Sequence, residues 1–123
     1  MAEEEVLTYL QDVLDAINDM QSCFIDFPNR YDMFEKDMMR QCVVERKVEI
    51  MGEAINRIKK IDSTLFIPNA RAIIDTRNRI IHAYDNVQPD FLWSLVTRHI
   101  PELKKDIEKI LIEYEYAYNR QNK

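Results

Sequence analysis

The sequence predicts an all-α fold, an antiparallel bundle of four main helices with a kink in the last. Three observations carry that prediction. One Gly and four Pro among 123 residues leave room for long helices and almost none for tight hairpin turns. Apolar residues recur at spacings of three and four along four segments, and no segment alternates as a strand would. The breaks between those segments hold Pro, Asn and Asp. The length fits one domain, residues 1–123, large enough to bury a core without disulfides or metal.

The first helix is expected from about residue 3 to 23, where Val6, Leu10, Val13, Ile17 and Met20 form a seam supported by Leu7 and Leu14. "DFPNRYD" then breaks the pattern, because Pro28 and Asn29 disfavour its continuation. A second helix starts near Phe34 or Asp37 and reaches Ile61, with Val44, Val48, Met51, Ile55 and Ile58 on one stripe. Gly52, the only glycine, lies inside it at a cost of roughly 1 kcal/mol against Ala. A close crossing, where another helix backbone approaches, would explain it. The third helix is expected from near Pro68, a residue suited to a first turn, to about Ala83. Arg71, Asp75 and Arg79 would form an ion ladder on its outer side. The fourth opens near Asp90 with Phe91, Leu92, Leu95 and Val96, must kink or restart at Pro101, and resumes through Leu103, Ile107, Ile110, Leu111 and Tyr114.

Composition narrows the function classes. No run of 18 apolar residues exists, so no membrane span is expected, and the acidic start MAEEEVL has neither a secretory nor a transit pattern. Cys23 and Cys42, isolated and without nearby His, read as reduced core thiols of a cytoplasmic protein. The net charge of −5 is uneven: residues 1–29 hold seven acids and no Lys or Arg, and the remainder 15 acids and 17 bases. That balance argues against a broad basic coat for nucleic acid, though not against a local phosphate site.

Most reactive-looking residues have plain explanations. Glu53 has Arg57 at i+4 and reads as a surface pair. Asp12, Asp15 and Asp19 lack the accompanying His or Glu-x-x-His of a carboxylate-bridged metal site, so no metal or other cofactor is expected. The alternating Tyr114, Tyr116 and Tyr118 read as helix-end packing, and His99 as exposed. The stretch "RNRIIHAY", residues 77–84, is different. Its Arg77 continues the stripe of Ile73 and Ile81, with Ala70 and Ile74 on the neighbouring ridge. A guanidinium cannot be neutralised there, so it needs a partner. Asn78 and His82 stack at i, i+4, and Tyr84 lies where the helix should finish. Guanidinium, amide, imidazole and phenol around one helix end suit a phosphodiester: planar charge for its oxygens, imidazole for proton transfer. An Arg77 paired with a core carboxylate and a capping His82 would account for the residues equally.

"RNRIIHAYD" resembles the Arg-x-x-x-x-His-x-Tyr signature of the HEPN superfamily (higher eukaryotes and prokaryotes nucleotide-binding), in its HepT-like toxin branch. "VVERKVEIMGEAINRI" is similar to that branch's second helix, and "DFLWSLVTRHIPELKKDIEKIL" to its last, with Ile100-Pro101 at the break. The likeness covers roughly residues 5–113. Asp75-Thr76 departs from it, where a small or apolar pair is expected. The resemblance implies a metal-independent endoribonuclease, the toxin of a toxin–antitoxin pair whose partner is a small nucleotidyltransferase. Arg77 and His82 would be the catalytic pair, Asn78 a polar helper, and Tyr84 the phenol that receives AMP from the antitoxin. The substrate would be RNA. Since one imidazole cannot be base and acid in the same step, a homodimer that brings two His82 and two Arg77 together is expected on chemical grounds. The competing reading is a non-catalytic subunit that docks on a nucleotidyltransferase and holds its nucleotide or substrate.

Overall fold

A computed structural model describes residues 2–82 and 88–122, and all regular structure among them is helical. α1 spans Ala2–Ser22, α2 Tyr31–Glu35, α3 Met38–Ile61, α4 Ala70–His82 and α5 Pro89–Ser94. A π-helical turn, Leu95–His99, leads from α5 into α6, Ile100–Gln121. α1 packs on α3 and α6, and α3 packs on α4. The predicted seam of the first helix is core: Val6, Leu10, Val13, Ile17 and Met20 are all 0% exposed. They join Val44, Val48, Met51, Ile55 and Ile58 of α3, Ile73 of α4 and Leu103 and Ile107 of α6 in one apolar cluster. Each such side chain contributes roughly 1.5–3 kcal/mol by burial, which sets the placement of α3 against α4.

"DFPNRYD" does more than break a helix. Within it α2 forms, and its Phe34 is fully buried with its ring centroid 5.1 Å from that of Trp93. The Gln41 amide donates to the Phe34 and Glu35 carbonyls at 2.9 Å, satisfying helix-end acceptors that would otherwise be buried unpaired. Arg40 stacks over Phe27 at 4.5 Å and donates through Nε to the Cys23 carbonyl at 2.8 Å, tying α3 to the end of α1.

Other departures have local causes. α4 begins at Ala70 rather than Pro68, because Asn69 has φ 63°, a left-handed conformation that interrupts the turn. The Asn69 amide donates to Asp106 of α6 at 2.8 Å and anchors this connection. At Pro101 the helix does not stop. The π-helical turn just before it has the Ile100 N–H reaching back five residues to the Leu95 carbonyl. The wider turn makes room where the proline ring would crowd the Thr97 carbonyl. Cys42 is exposed and Cys23 half-buried, so the expected pair of core thiols is not found. The buried face of α3 runs through Gln41, Val44 and Val48 and passes Cys42 by. Of the three tyrosines only Tyr114 packs on the core; Tyr116 is exposed and Tyr118 donates to Glu4 of α1. No helix of the described residues is long and apolar enough to cross a membrane.

The N-terminus of α3 yields a stability prediction. Asp37 accepts from the Arg40 backbone N–H at 3.0 Å and from its guanidinium at 2.6 Å. The backbone bond first, and the guanidinium next, hold its carboxyl below the ordinary value of 3.8. Because the folded pKa is depressed, the cap stabilises above that value and is lost as pH falls through the folded pKa. Urea denaturation of Asp37→Ala near neutral pH is expected to show a loss of about 1 kcal/mol. The difference from wild type should shrink as the pH is taken below 3.8.

Candidate active site

The site begins with the question of how Arg77 fits on an apolar stripe. Ala70, Ile73 and Thr76 are the buried residues of α4, and Arg77 adjoins them against α3. Opposite lies Gly52. A Cβ built on it would stand 2.7 Å from Arg77 Cβ, 2.8 Å from Cγ and 3.1 Å from Cδ, well inside carbon contact distance. The expected close crossing is real, but the space left by the missing side chain is filled by the Arg77 stem rather than by backbone. The methylenes lie along α3, and Nε is buried without a hydrogen-bond partner among the described residues. Nη1 donates to the Asn78 side-chain oxygen at 3.3 Å. Among the described residues no carboxylate pairs with it: Glu53 pairs with Arg57 at 3.0 Å and Asp75 with Arg71 at 3.4 Å. An unpaired buried donor costs about 1–3 kcal/mol, and more on a charged group.

Asn78 and His82 are both exposed, one turn apart, with His82 the last residue of α4. At about 100° per residue, Arg77 and His82 diverge by about 140°, so they flank the helix end rather than share a face. Among the described residues, no hydrogen bond ties His82 to Arg77 or Asn78. Tyr84 lies outside the described residues. Ile81, expected on the inner stripe, is 47% exposed beside His82. The pair that departs from the family pattern is accommodated simply. Thr76 is fully buried as a small residue, its hydroxyl donating to the Ala72 carbonyl at 2.8 Å, while Asp75 faces outward to Arg71. The ion ladder stops there, because Arg79 stacks over Phe91 at 4.3 Å instead.

The Arg77 head lines an open depression with Asn56, Lys59 and Lys60 of α3, where the Glu53–Arg57 pair also lies. These α3 residues were not singled out from the sequence. Their signal was Gly52, Asn56, Lys59 and Lys60 at i, i+4, i+7 and i+8, one face of the helix. His99 is half-buried, not exposed as expected. It lines a second depression with Asp75, Asp90, Phe91 and Ser94, where the π-helical turn meets α4. Among the described residues no cluster of three potential metal ligands occurs. Asp19 pairs with Lys47 at 3.3 Å, and Asp15 accepts from the Gln11 amide at 2.9 Å.

The family described as Ribonuclease HepT-like matches residues 10–110, and the chain is a member of it. That membership makes it an endoribonuclease by class. A protein of Thermococcus cleftensis named probable ribonuclease HepT is 34% identical over 109 residues, 83% of this chain and 92% of the relative. Two proteins of Methanocaldococcus jannaschii named as candidate RNases, MJ1380 and MJ0127, are 31% and 29% identical over 88% and 94% of this chain. The alignments cover 98% and 94% of those two proteins. No solved structure matches the chain.

The Gly52–Arg77 contact makes its own prediction. By propensity alone, Gly52→Ala would stabilise α3 by about 1 kcal/mol. The added Cβ instead meets the base of the Arg77 side chain, which cannot swing away, so overpacking should prevail. A net loss of about 1–3 kcal/mol is expected in urea denaturation, and a smaller loss in an Arg77→Ala background. A net gain in the wild-type background would contradict the packing described.

Proposed function

We propose that this ribonuclease cleaves RNA without a metal ion, through Arg77 and His82, as the toxin of a toxin–antitoxin pair. The observation that carries the reading is the Arg77 guanidinium, half-buried against Gly52 with no carboxylate partner among the described residues. A phosphate oxygen is the partner that this donor set lacks. In the reaction the ribose 2′-oxygen attacks the adjacent phosphorus, and the bond from phosphorus to the 5′-oxygen breaks. Imidazole takes the 2′-hydroxyl proton, and a second imidazole gives one to the leaving 5′-oxygen. Arginine stabilises the charge that builds on the phosphoryl oxygens. Asn78, already hydrogen-bonded to Arg77, helps to orient it. RNA is selected because its 2′-hydroxyl is the nucleophile.

One imidazole cannot act as base and acid in the same step, which favours a homodimer with the end of α4 at its two-fold axis. The exposure of Ile81 next to His82 supports that surface. The whole chain acts as one HEPN-like domain of the cytoplasm. Its antitoxin is a nucleotidyltransferase that adds AMP to Tyr84, putting a phosphate where substrate phosphate must sit.

His82→Ala should lower RNA cleavage by about 10²–10⁴-fold. Arg77→Ala should lower it by about 10²–10³-fold. Arg77→Lys should also be poor, since a point charge cannot reproduce the guanidinium fork. Circular dichroism should show each variant folded. Unaltered cleavage by folded His82→Ala would sink the catalytic assignment. A wild-type chain that binds the transferase and never cleaves RNA would establish a docking subunit instead.

For regulation, mass spectrometry after co-expression with the transferase is expected to find AMP on the Tyr84 peptide. Tyr84→Phe should remain toxic and unmodifiable. Neutralisation with Tyr84 unmodified would point to steric blocking. Sedimentation of the active protein should give a dimer, and a fully active monomer would contradict the shared site.

A further inference from the structure

The depression beside Arg77 does not end at Lys60. Lys59 lines it and also lines a neighbouring depression formed by residues 63–67 and 69 of the α3–α4 connection and the start of α4. Five cations, Arg57, Lys59, Lys60, Arg71 and Arg77, border the two, against one lining carboxylate, Glu53. This concentration occurs in a chain of net charge −5. Lysines in a last helical turn ordinarily complement the helix dipole, and that alone would explain Lys59 and Lys60. It does not explain Phe66, which is 78% exposed within the second depression.

Phe66 is held outward by its neighbours. Leu65 packs on the core and Ile67 is 6% exposed. The connection is pinned at both ends: the Thr64 N–H and hydroxyl donate to Asp62, and the Asn69 amide donates to Asp106 at 2.8 Å. A bare ring on a fixed loop, bordered by Lys59 and by Arg71, which is paired with Asp75, has the two components of a single-strand binding surface. Cations follow the phosphates, and an aromatic face stacks a base without regard to its identity.

We propose that a single strand of RNA runs from Arg77 across Lys60 and Lys59 to Phe66, which stacks one of its bases outside the cleavage site. The strand's phosphates neutralise the lysines, and the base covers the exposed ring. Substrate binding would thus depend on length: nucleotides beyond the scissile phosphate add affinity through a surface that plays no part in the chemistry. The track rests on the ribonuclease reading, and the experiment separates the two.

The probe is a fluorescent single-stranded RNA of about 12 nucleotides with 2′-O-methyl groups, which bind but cannot attack, titrated at several salt concentrations. Lys59→Gln/Lys60→Gln should weaken binding and reduce the slope of log affinity against log salt by about 1.4, at about 0.7 per lost phosphate contact. Phe66→Ala should weaken binding about 5- to 100-fold with the slope unchanged, and Phe66→Trp should bind as wild type does. Cleavage of a dinucleotide, which has one phosphate and cannot reach the track, should be unchanged in all three. Wild-type cleavage together with unaltered binding by the lysine and Phe66→Ala variants overturns the track alone. So does loss of dinucleotide cleavage in step with binding, or a Phe66→Ala protein that binds RNA normally but escapes neutralisation by the transferase. The last result would make the ring a protein-docking contact. A wild-type protein that neither binds the probe nor cleaves RNA overturns the track and the ribonuclease reading together.

Discussion

The contact between Gly52 and the stem of Arg77 is the constraint around which the candidate site is organised. Without a side chain at 52, α3 offers a slot in which the Cβ, Cγ and Cδ of Arg77 lie flat against the helix. The slot has a cost in both partners. Glycine weakens a helix interior by about 1 kcal/mol, and the arginine is left with a buried Nε that donates to nothing among the described residues. Packing alone would favour a small apolar residue at 77 and alanine at 52. Retaining the arginine makes physical sense if its unsatisfied donors are kept for an anion from outside.

Much of the fold was legible because helical periodicity is a direct image of burial. The seam from Val6 to Met20 and the stripe from Val44 to Ile58 are the core. What was not legible depends on contacts distant in sequence. α2 exists because Phe34 finds Trp93 and because Gln41 caps its carbonyls, neither of which local pattern reveals. Pro101 marked the place of an irregularity, but whether the chain would bend, restart or widen was a matter of its surroundings. It widened, into a π-helical turn. Asn69 moved the start of α4 by adopting a left-handed conformation that asparagine tolerates and no spacing rule signals.

The candidate site divides in the same way. Arg77 drew attention because a charge on an apolar stripe is anomalous, and its environment shows why the anomaly is tolerated. Their i, i+4 spacing put Asn78 and His82 on one face, and both are exposed. The relation of Arg77 to His82 was harder to read, since residues five apart on a helix point in different directions and their meeting depends on groups beyond α4. The lysines at 59 and 60 were hidden for a different reason. They look like an ordinary helix end until α4 is placed alongside and brings Arg77 to the same depression. Acidic residues dominate the first 29 positions, so the basic surface is also invisible in the net charge.

The central claim is that the Arg77 guanidinium donor is reserved for substrate phosphate. Nitrogen-15 NMR of the arginine Nε–H groups, with the Arg77 signal assigned by its loss in Arg77→Lys, observes that donor directly. Titration with a 2′-O-methyl RNA that binds without being cleaved should shift the Arg77 signal in proportion to occupancy and slow its exchange with water, as expected of a charge-assisted bond to phosphate. An Arg77 signal that stays in place at saturating RNA, while other arginines respond, would contradict the account and leave the guanidinium a packing element of the helix crossing.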